Sequence, residues 1–205
     1  MISKKNKKRL LVLRFSALGD VTMIAPVLNE LLEQNPDVEI YVASRPFMET
    51  IFKQFPQINF IPVDLNKQYK GFFSLFSLYK ELKKYKFDYV ADLHNVIRSK
   101  VITFLFKING TKTATLDKGR AEKKALVNQE NKTLKQLKLT TERYADVLRS
   151  FGFQLTLSHQ LKSFIKKEEK TIGIAPYAAF SSKMYPLEKM KIVAEKLAND
   201  GYTVY

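Results

Sequence analysis

A short apolar run, Leu10-Leu11-Val12-Leu13, carried through Arg14 to Phe15, reads as a buried strand over 10–15. It breaks at Ser16-Ala17-Leu18-Gly19-Asp20, where the single glycine allows a tight turn. Beyond the turn, Ile24, Val27, Leu28, Leu31 and Leu32 recur at helical spacing. Proline is welcome at a first helical position, so the helix is expected to begin at Pro26, after an irregular link over 20–25. Asn35-Pro36-Asp37 stops it. The alternation then repeats, with strands expected over 38–43, 59–63, 87–93 and 111–116 and helices over 46–55, 71–86 and 96–106. In the 71–86 helix Phe72, Leu75, Phe76, Tyr79 and Leu82 are read as one core-facing stripe, with Lys80, Lys83 and Lys84 elsewhere. A basic helix lying on a membrane is the competing reading.

The stretch 117–139 is polar and rich in cations (Lys118, Arg120, Lys123, Lys124, Lys132, Lys135, Lys138), and its weak periodicity predicts a mobile loop with some helix. An amphipathic helix over 141–151 puts Tyr144, Val147, Leu148 and Phe151 on one side and ends at Gly152. Residues 156–170 mix Ser, His, Lys and Glu without pattern and read as a linker. The rhythm restarts with a strand over 171–175, a loop to Tyr185, a helix over 186–199 and a strand opening at Tyr202. Alternating strands and helices predict an α/β fold, a parallel sheet with helices on both faces. The expected organisation is a first domain over 1–155, the linker 156–170, and the start of a second α/β domain over 171–205. The sequence stops inside a strand and reads as a fragment.

Composition narrows the chemistry. A 45% hydrophobic content with 15 Phe and 10 Tyr suffices for a packed core. There is no Cys and there are two His, His94 and His159, so thiol chemistry is excluded and a histidine-rich metal site is disfavoured. No apolar run approaches the roughly 20 residues that cross a bilayer. The basic stretch 1–9 has only a short apolar run behind it, interrupted by Arg14, and no small-residue cleavage site, so a cytoplasmic protein is expected. The net charge of +15 points to an anionic partner: nucleic acid, an acidic membrane surface or a phosphorylated substrate.

Three groups of candidate residues fall where loops leave predicted strands, the rim where α/β pockets form. The first is Ser16 to Asp20. The second is Asp92-Leu93-His94-Asn95-Val96-Ile97-Arg98-Ser99, with a carboxylate, an imidazole, an amide and a guanidinium. The third is Pro176-Tyr177-Ala178-Ala179-Phe180-Ser181-Ser182-Lys183-Met184-Tyr185-Pro186, a strand-to-helix loop whose lysine suits a phosphate. Each has a plainer reading: Asp20 as a helix cap, Asp92 paired with Arg98, His94 as structural, Lys183 as one more surface cation. The chain lacks a dinucleotide fingerprint, a P-loop, a nucleophile elbow and an Asp-x-Asp metal motif. What remains is an aspartate acting as base on a hydroxyl, with phosphate neutralised by lysine and backbone N–H groups.

Leu11-Val12-Leu13-Arg14-Phe15-Ser16-Ala17-Leu18-Gly19-Asp20-Val21, followed by Ala25-Pro26, resembles the opening signature of the bacterial heptosyltransferase family, glycosyltransferase family nine. Asp92-Leu93-His94-Asn95 with Arg98-Ser99 is similar to its second block, and Ile172 through Pro186 to the start of its donor domain. The resemblance spans essentially the whole chain and about the first three-fifths of a typical member. It implies a two-domain GT-B fold of Rossmann-like units. The N-terminal unit would hold the acceptor and the C-terminal unit a nucleotide-sugar, usually ADP-L-glycero-D-manno-heptose. The implied reaction adds heptose to a lipopolysaccharide core, with inversion and with neither metal nor other cofactor.

By the resemblance Asp20 is the general base, facing the cleft between the domains. Ser16, Gly19, Asp92, His94, Asn95 and Arg98 bind the acceptor, and Ser181, Ser182 and Lys183 bind the donor phosphates. Partners are then a nucleotide-sugar, an anionic glycolipid and the cytoplasmic face of the inner membrane, touched peripherally, and no nucleic acid. Pro176-Tyr177-Ala178-Ala179 departs from the hydroxyl-bearing residues of many members, which bears on donor identity. Two alternatives stand beside this reading: a basic α/β nucleic-acid-binding protein and a non-catalytic binder of anionic lipid.

Overall fold

The computed structural model describes residues 7–128, 130, 134–160, 168–178 and 180–205. The expectations for the tail before Lys7, for Lys132, for Ala179 and for 161–167 of the linker lie outside the described residues. The chain divides into two compact units, Met1–Lys162 and Ser163–Tyr205.

The first unit is built on a five-stranded parallel sheet in the order β3-β2-β1-β4-β5. Its strands are β1 (Lys8–Leu13), β2 (Val38–Ser44), β3 (Ile58–Pro62), β4 (Tyr89–Asp92) and β5 (Lys112–Thr115). Its helices are α1 (Leu18–Thr22), α2 (Ile24–Gln34), α3 (Glu49–Phe52), α4 (Ser74–Lys83), α5 (Ile97–Ile108), α6 (Arg120–Val127) and α7 (Thr140–Arg149).

The central strand explains its own sequence. Leu10, Leu11, Val12 and Leu13 have no exposed surface, because a parallel strand covered on both faces is a continuous apolar run rather than an alternating one. Leu10 and Val12 point into a core shared with α2, α3 and α7, and Leu11 and Leu13 into one shared with α4 and α5. Full burial of each such side chain contributes about 1.5–3 kcal/mol.

Several expectations are corrected by the packing. The helix does not begin at Pro26, since residues 18–22 are already helical. Pro26 has no N–H to give to the Thr22 carbonyl, so the ladder resets at Met23, and the proline sits in the first turn of α2, where no donor is required. Gly19 is not a tight turn. It lies inside α1 with nothing within 4 Å of where a Cβ would stand. On α4 the buried face is Leu75, Leu78, Tyr79 and Leu82, whereas Phe72 and Phe76, expected in the core, are exposed.

The cation-rich stretch after β5 is anchored among its described residues. The buried Arg143 guanidinium of α7 pairs with Glu122 of α6, lies 4.0 Å from Asp117 and donates to the Lys138 carbonyl at 3.3 Å. The head of the expected linker also belongs to the first unit. Leu157 is in the core, the Thr156 N–H donates to Gln34 at 2.9 Å, and Ser158 donates through its N–H and hydroxyl to Glu30 at 2.7 and 2.8 Å.

The second unit contains β6 (Thr171–Ile172), α8 (Leu187–Asn199) and β7 (Thr203–Val204), with the strands parallel. The ladder runs on irregularly, with Ile174 N–H donating to the Tyr205 carbonyl at 2.8 Å.

Candidate active site

In the first sheet the chain moves outward from β1 to β3 and then returns to the other side of β1 with β4. The reversal lies between β1 and β4, and open parallel sheets hold ligands outside the carboxyl ends of their strands at such a point. Leu13 is in register with Asp92, so the loops carrying Arg14–Asp20 and Leu93–Val96 leave the sheet side by side. Two of the three groups singled out in the sequence are therefore brought together.

Asp20 is in the first turn of α1 and its side chain is 39% exposed. Its Oδ2 accepts from Arg14 Nη2 at 2.6 Å and from the Ala17 N–H at 3.3 Å. The second contact is half of a capping box, because Ala17 offers no side-chain oxygen in return. The capping role is thus real, and it does not use up the carboxylate: both contacts engage Oδ2, leaving Oδ1 to accept a proton. At Gly19, the residue before it, the space a Cβ would take is open.

Arg14 is 6% exposed, and a buried guanidinium needs partners. Besides Asp20 it donates to the Leu93 carbonyl across the β1–β4 boundary, and its Cζ lies 5.5 Å over the Tyr144 ring. Tyr144, fully buried on α7, donates its hydroxyl to the Asp20 carbonyl at 3.3 Å; burial pushes the phenol up to about 12. Ser44 at the end of β2 donates to the Arg14 carbonyl at 2.6 Å. The strand end, the loop and α7 thus converge on one ion pair.

His94 is buried and shares an edge-on contact with Phe15, ring centroids 5.8 Å apart. Its Nδ1 accepts the Phe15 N–H at 3.5 Å and its Nε2 lies 3.2 Å from Ser16 Oγ. This pattern assigns the proton to Nε2, which donates to Ser16 and leaves that hydroxyl free to donate outward. Burial, helped by the charges of Arg14 and Lys118, pushes the imidazole down to about 4, so it is neutral at ordinary pH.

Asp92 does not pair with Arg98. It is fully buried; its Oδ1 accepts the N–H groups of His94 and Asn95 at 2.9 and 2.8 Å, and its Oδ2 has no partner among the described residues. Burial raises its carboxyl above the usual range, an effect those N–H bonds partly offset. Asn95 takes a left-handed backbone, φ 50°, and donates its side-chain amide to the Leu116 carbonyl at 2.6 Å. Both residues shape the loop that presents His94, while Arg98 is exposed on the first turn of α5.

Lys118, half-buried after β5, was hidden in the sequence among many similar cations. Burial, with Arg120 and Arg14 nearby, holds its ammonium below the ordinary lysine range, and it is close enough to Asp92 and Asp20 to feel their charge. Tyr144 carried no signal beyond its core spacing. Arg14 did carry one, since a charge set between Leu13 and Phe15 at the end of a buried apolar run demands a buried partner.

In the second unit Ser181–Lys183 form a single 3-10 turn between β6 and α8. Lys183 lies with its Nζ 5.5 Å over the Phe180 ring, and the Lys183 N–H donates to the Phe180 carbonyl at 3.0 Å. Ser181 and Ser182 are exposed in the same turn, which lies in the connection from β6 to α8.

A sequence model of glycosyltransferase family 9 (heptosyltransferase) matches residues 75–205. The chain is 30% identical over 101 residues to the lipopolysaccharide core heptosyltransferase OpsX of Haemophilus influenzae, covering 49% of this chain and 28% of that protein. A family 9 glycosyltransferase from Veillonella parvula superposes with a TM-score of 0.70 at 21% identity, over 96% of this chain and 62% of the other. The heptosyltransferase WaaC of E. coli, solved with ADP, gives 0.68 at 16% identity, over 96% and 65%. The chain thus spans about two thirds or less of these proteins, and the likenesses show its fold to be α/β of the GT-B type.

Proposed function

Because the chain belongs to glycosyltransferase family 9, we propose that it is the acceptor-binding part and the beginning of the donor-binding part of an inverting sugar transferase. The donor would be a nucleotide-sugar, an ADP-heptose in the leading reading, and the acceptor a lipopolysaccharide core or related anionic glycolipid at the cytoplasmic face of the inner membrane. The observation that carries this reading is the partly exposed Asp20 carboxylate, oriented through one oxygen by buried Arg14 at the switch point of the sheet.

In this mechanism the acceptor hydroxyl attacks the anomeric carbon as the bond from that carbon to the diphosphate oxygen breaks. Asp20 takes the hydroxyl proton on Oδ1, and the electron pair of the broken bond leaves with the nucleoside diphosphate. Arg14 keeps the carboxylate in one orientation, and the Ser16 hydroxyl, set by neutral His94, donates to the acceptor. Arg98 and Lys118 supply positive charge for an anionic acceptor. Lys183, with Ser181 and Ser182, meets the charge growing on the leaving diphosphate, a task that needs a fixed cation and no metal. Gly19 leaves room for the acceptor beside the base.

The test is sugar transfer by the Asp20→Ala variant of the whole protein, with folding followed by circular dichroism. Loss of transfer with an unchanged spectrum is expected, and near-wild-type turnover overturns the assignment of the base.

A further inference from the structure

We propose that the outer face of α4 and α5 is a docking surface for an anionic phospholipid bilayer. The proposal deepens the reading above and rests on it for the location of the acceptor. Both helices cover the same side of the sheet, through Leu75, Leu78, Tyr79 and Leu82 on one and Ile102 and Phe106 on the other. The outer face of α5 is apolar too, and so is the head of α4, whereas the rest of the outer side of α4 is polar, with Ser77, Lys80 and Glu81 exposed. Along α5, Ile97, Val101, Phe104 and Ile108 fall within one narrow stripe at 100° per residue, and Ile97, Phe104 and Ile108 are 75%, 60% and 61% exposed. At the head of α4, Phe73 is 85% exposed, with exposed Phe72 and Phe76 beside it.

The two faces adjoin. Lys83 at the end of α4 donates to Asn109 just past α5 at 3.0 Å, and Phe76 lies two turns back along the same edge of α4 as Lys83. The helices run parallel, and α5 begins directly after the loop that carries His94, so the aromatic end of this face lies at the rim that holds Asp20.

Charge selects the occupant. The two helices contain one acidic residue, Glu81, against Lys80, Lys83, Arg98, Lys100 and Lys107. On α5 the lysines flank the apolar stripe. Interfaces between protein surfaces are depleted in lysine, whereas aromatic and aliphatic side chains edged by lysines are the composition of a helix lying in an anionic lipid interface. No helix among the described residues is long and apolar enough to cross a membrane, so contact by this face would be lateral. Such docking would hold the Asp20 rim beside a lipid-anchored acceptor.

The chain has no Trp, so Phe73→Trp makes a single-site reporter. With phosphatidylglycerol–phosphatidylethanolamine vesicles its emission should shift to the blue and be quenched by brominated lipid, and with pure phosphatidylcholine it should not. Phe76→Ser/Phe104→Ser/Ile108→Ser and, separately, Lys80→Glu/Lys100→Glu should each weaken vesicle binding about tenfold or more, with the melting transition unchanged. Equal response to both lipids, no response to either, or binding untouched by the substitutions overturns the proposal. So does a blue shift that grows with protein concentration without lipid, which would identify a second copy as the occupant. The transferase reading fails separately: Asp20→Ala should bind vesicles as wild type does, and the surface variants should keep transfer to a water-soluble acceptor.

Discussion

Arg14 Nη2 and Asp20 Oδ2 lie 2.6 Å apart at the carboxyl end of the central strand, the guanidinium buried and the carboxylate half open to solvent. The asymmetry sets their roles. Arg14 is fixed from three sides by Asp20, the Leu93 carbonyl and the Tyr144 ring, so it can hold a carboxylate in one orientation without moving itself. Arg14→Met removes the guanidinium donor of the Leu93 carbonyl and leaves Asp20 with only the Ala17 N–H at 3.3 Å. A stability loss of about 1–3 kcal/mol is expected from the orphaned polar group. Transfer should fall about a hundredfold through misplacement of the base, in kcat more than in the KM for either substrate. Arg14→Lys, which keeps a charge but not the fork, should restore stability better than turnover. A variant with normal kcat overturns the positioning role.

His94 ties stability to pH. Its folded-state value of about 4 lies below the 6.5 of a free imidazole, so the unfolded chain binds the extra proton first. The contribution of the neutral, buried ring is therefore full above pH 6.5 and is lost as the pH falls towards 4, by roughly 3 kcal/mol in all. Urea unfolding at pH 7.5, 5.5 and 4.5 should show this decline, and His94→Gln should flatten it. An unchanged pH profile in the variant would mean that the imidazole is not held neutral.

Gly119 follows Lys118 at the N-terminal cap of α6. It adopts φ +60°, and a Cβ there would come within 2.5 Å of Cζ of the buried Arg143 guanidinium, whose Nη2 is already paired with Glu122. Gly119→Ala meets both the left-handed backbone cost and displacement of that guanidinium, and should destabilise by about 1–3 kcal/mol. Gly152→Ala also has positive φ, but its Cβ meets nothing within 4 Å. It should cost only the backbone part, so that the difference between the two melting curves measures the Arg143 anchor.

What the sequence shows and what it hides follows the range of the forces involved. Leu10 to Leu13 announce a central strand because burial on both faces is written into consecutive residues, and Gly152 announces a helix end by its own backbone, φ 88°. Asp20 and His94 could be singled out because each sits next to a strand end. Their partners could not be assigned, since Arg14 finds Leu93 and Tyr144 only after β1, β4 and α7 have packed. The error on α4 has the same root. Phe72 and Phe76 share the apolar character of Leu75 and Tyr79, and only the neighbouring helix decides which of them meets the core.

Lys183 offers the sharpest separation of function from folding. It is exposed, and its Nζ lies 5.5 Å over the Phe180 ring, so removing it disturbs little packing and should alter stability by no more than about 0.5 kcal/mol. A cation that meets charge on a leaving diphosphate acts most strongly when the bond to the sugar has broken, so its loss should reach kcat as well as donor affinity. Lys183→Ala in the whole protein should lower kcat by about ten- to a thousandfold and weaken ADP binding measured by calorimetry. Lys183→Arg should recover most of the affinity and only part of the rate, because the planar fork replaces the charge but not its position. Should Lys183→Ala bind ADP and turn over as wild type does, the lysine is one more surface cation, and the diphosphate must be met elsewhere in the donor unit.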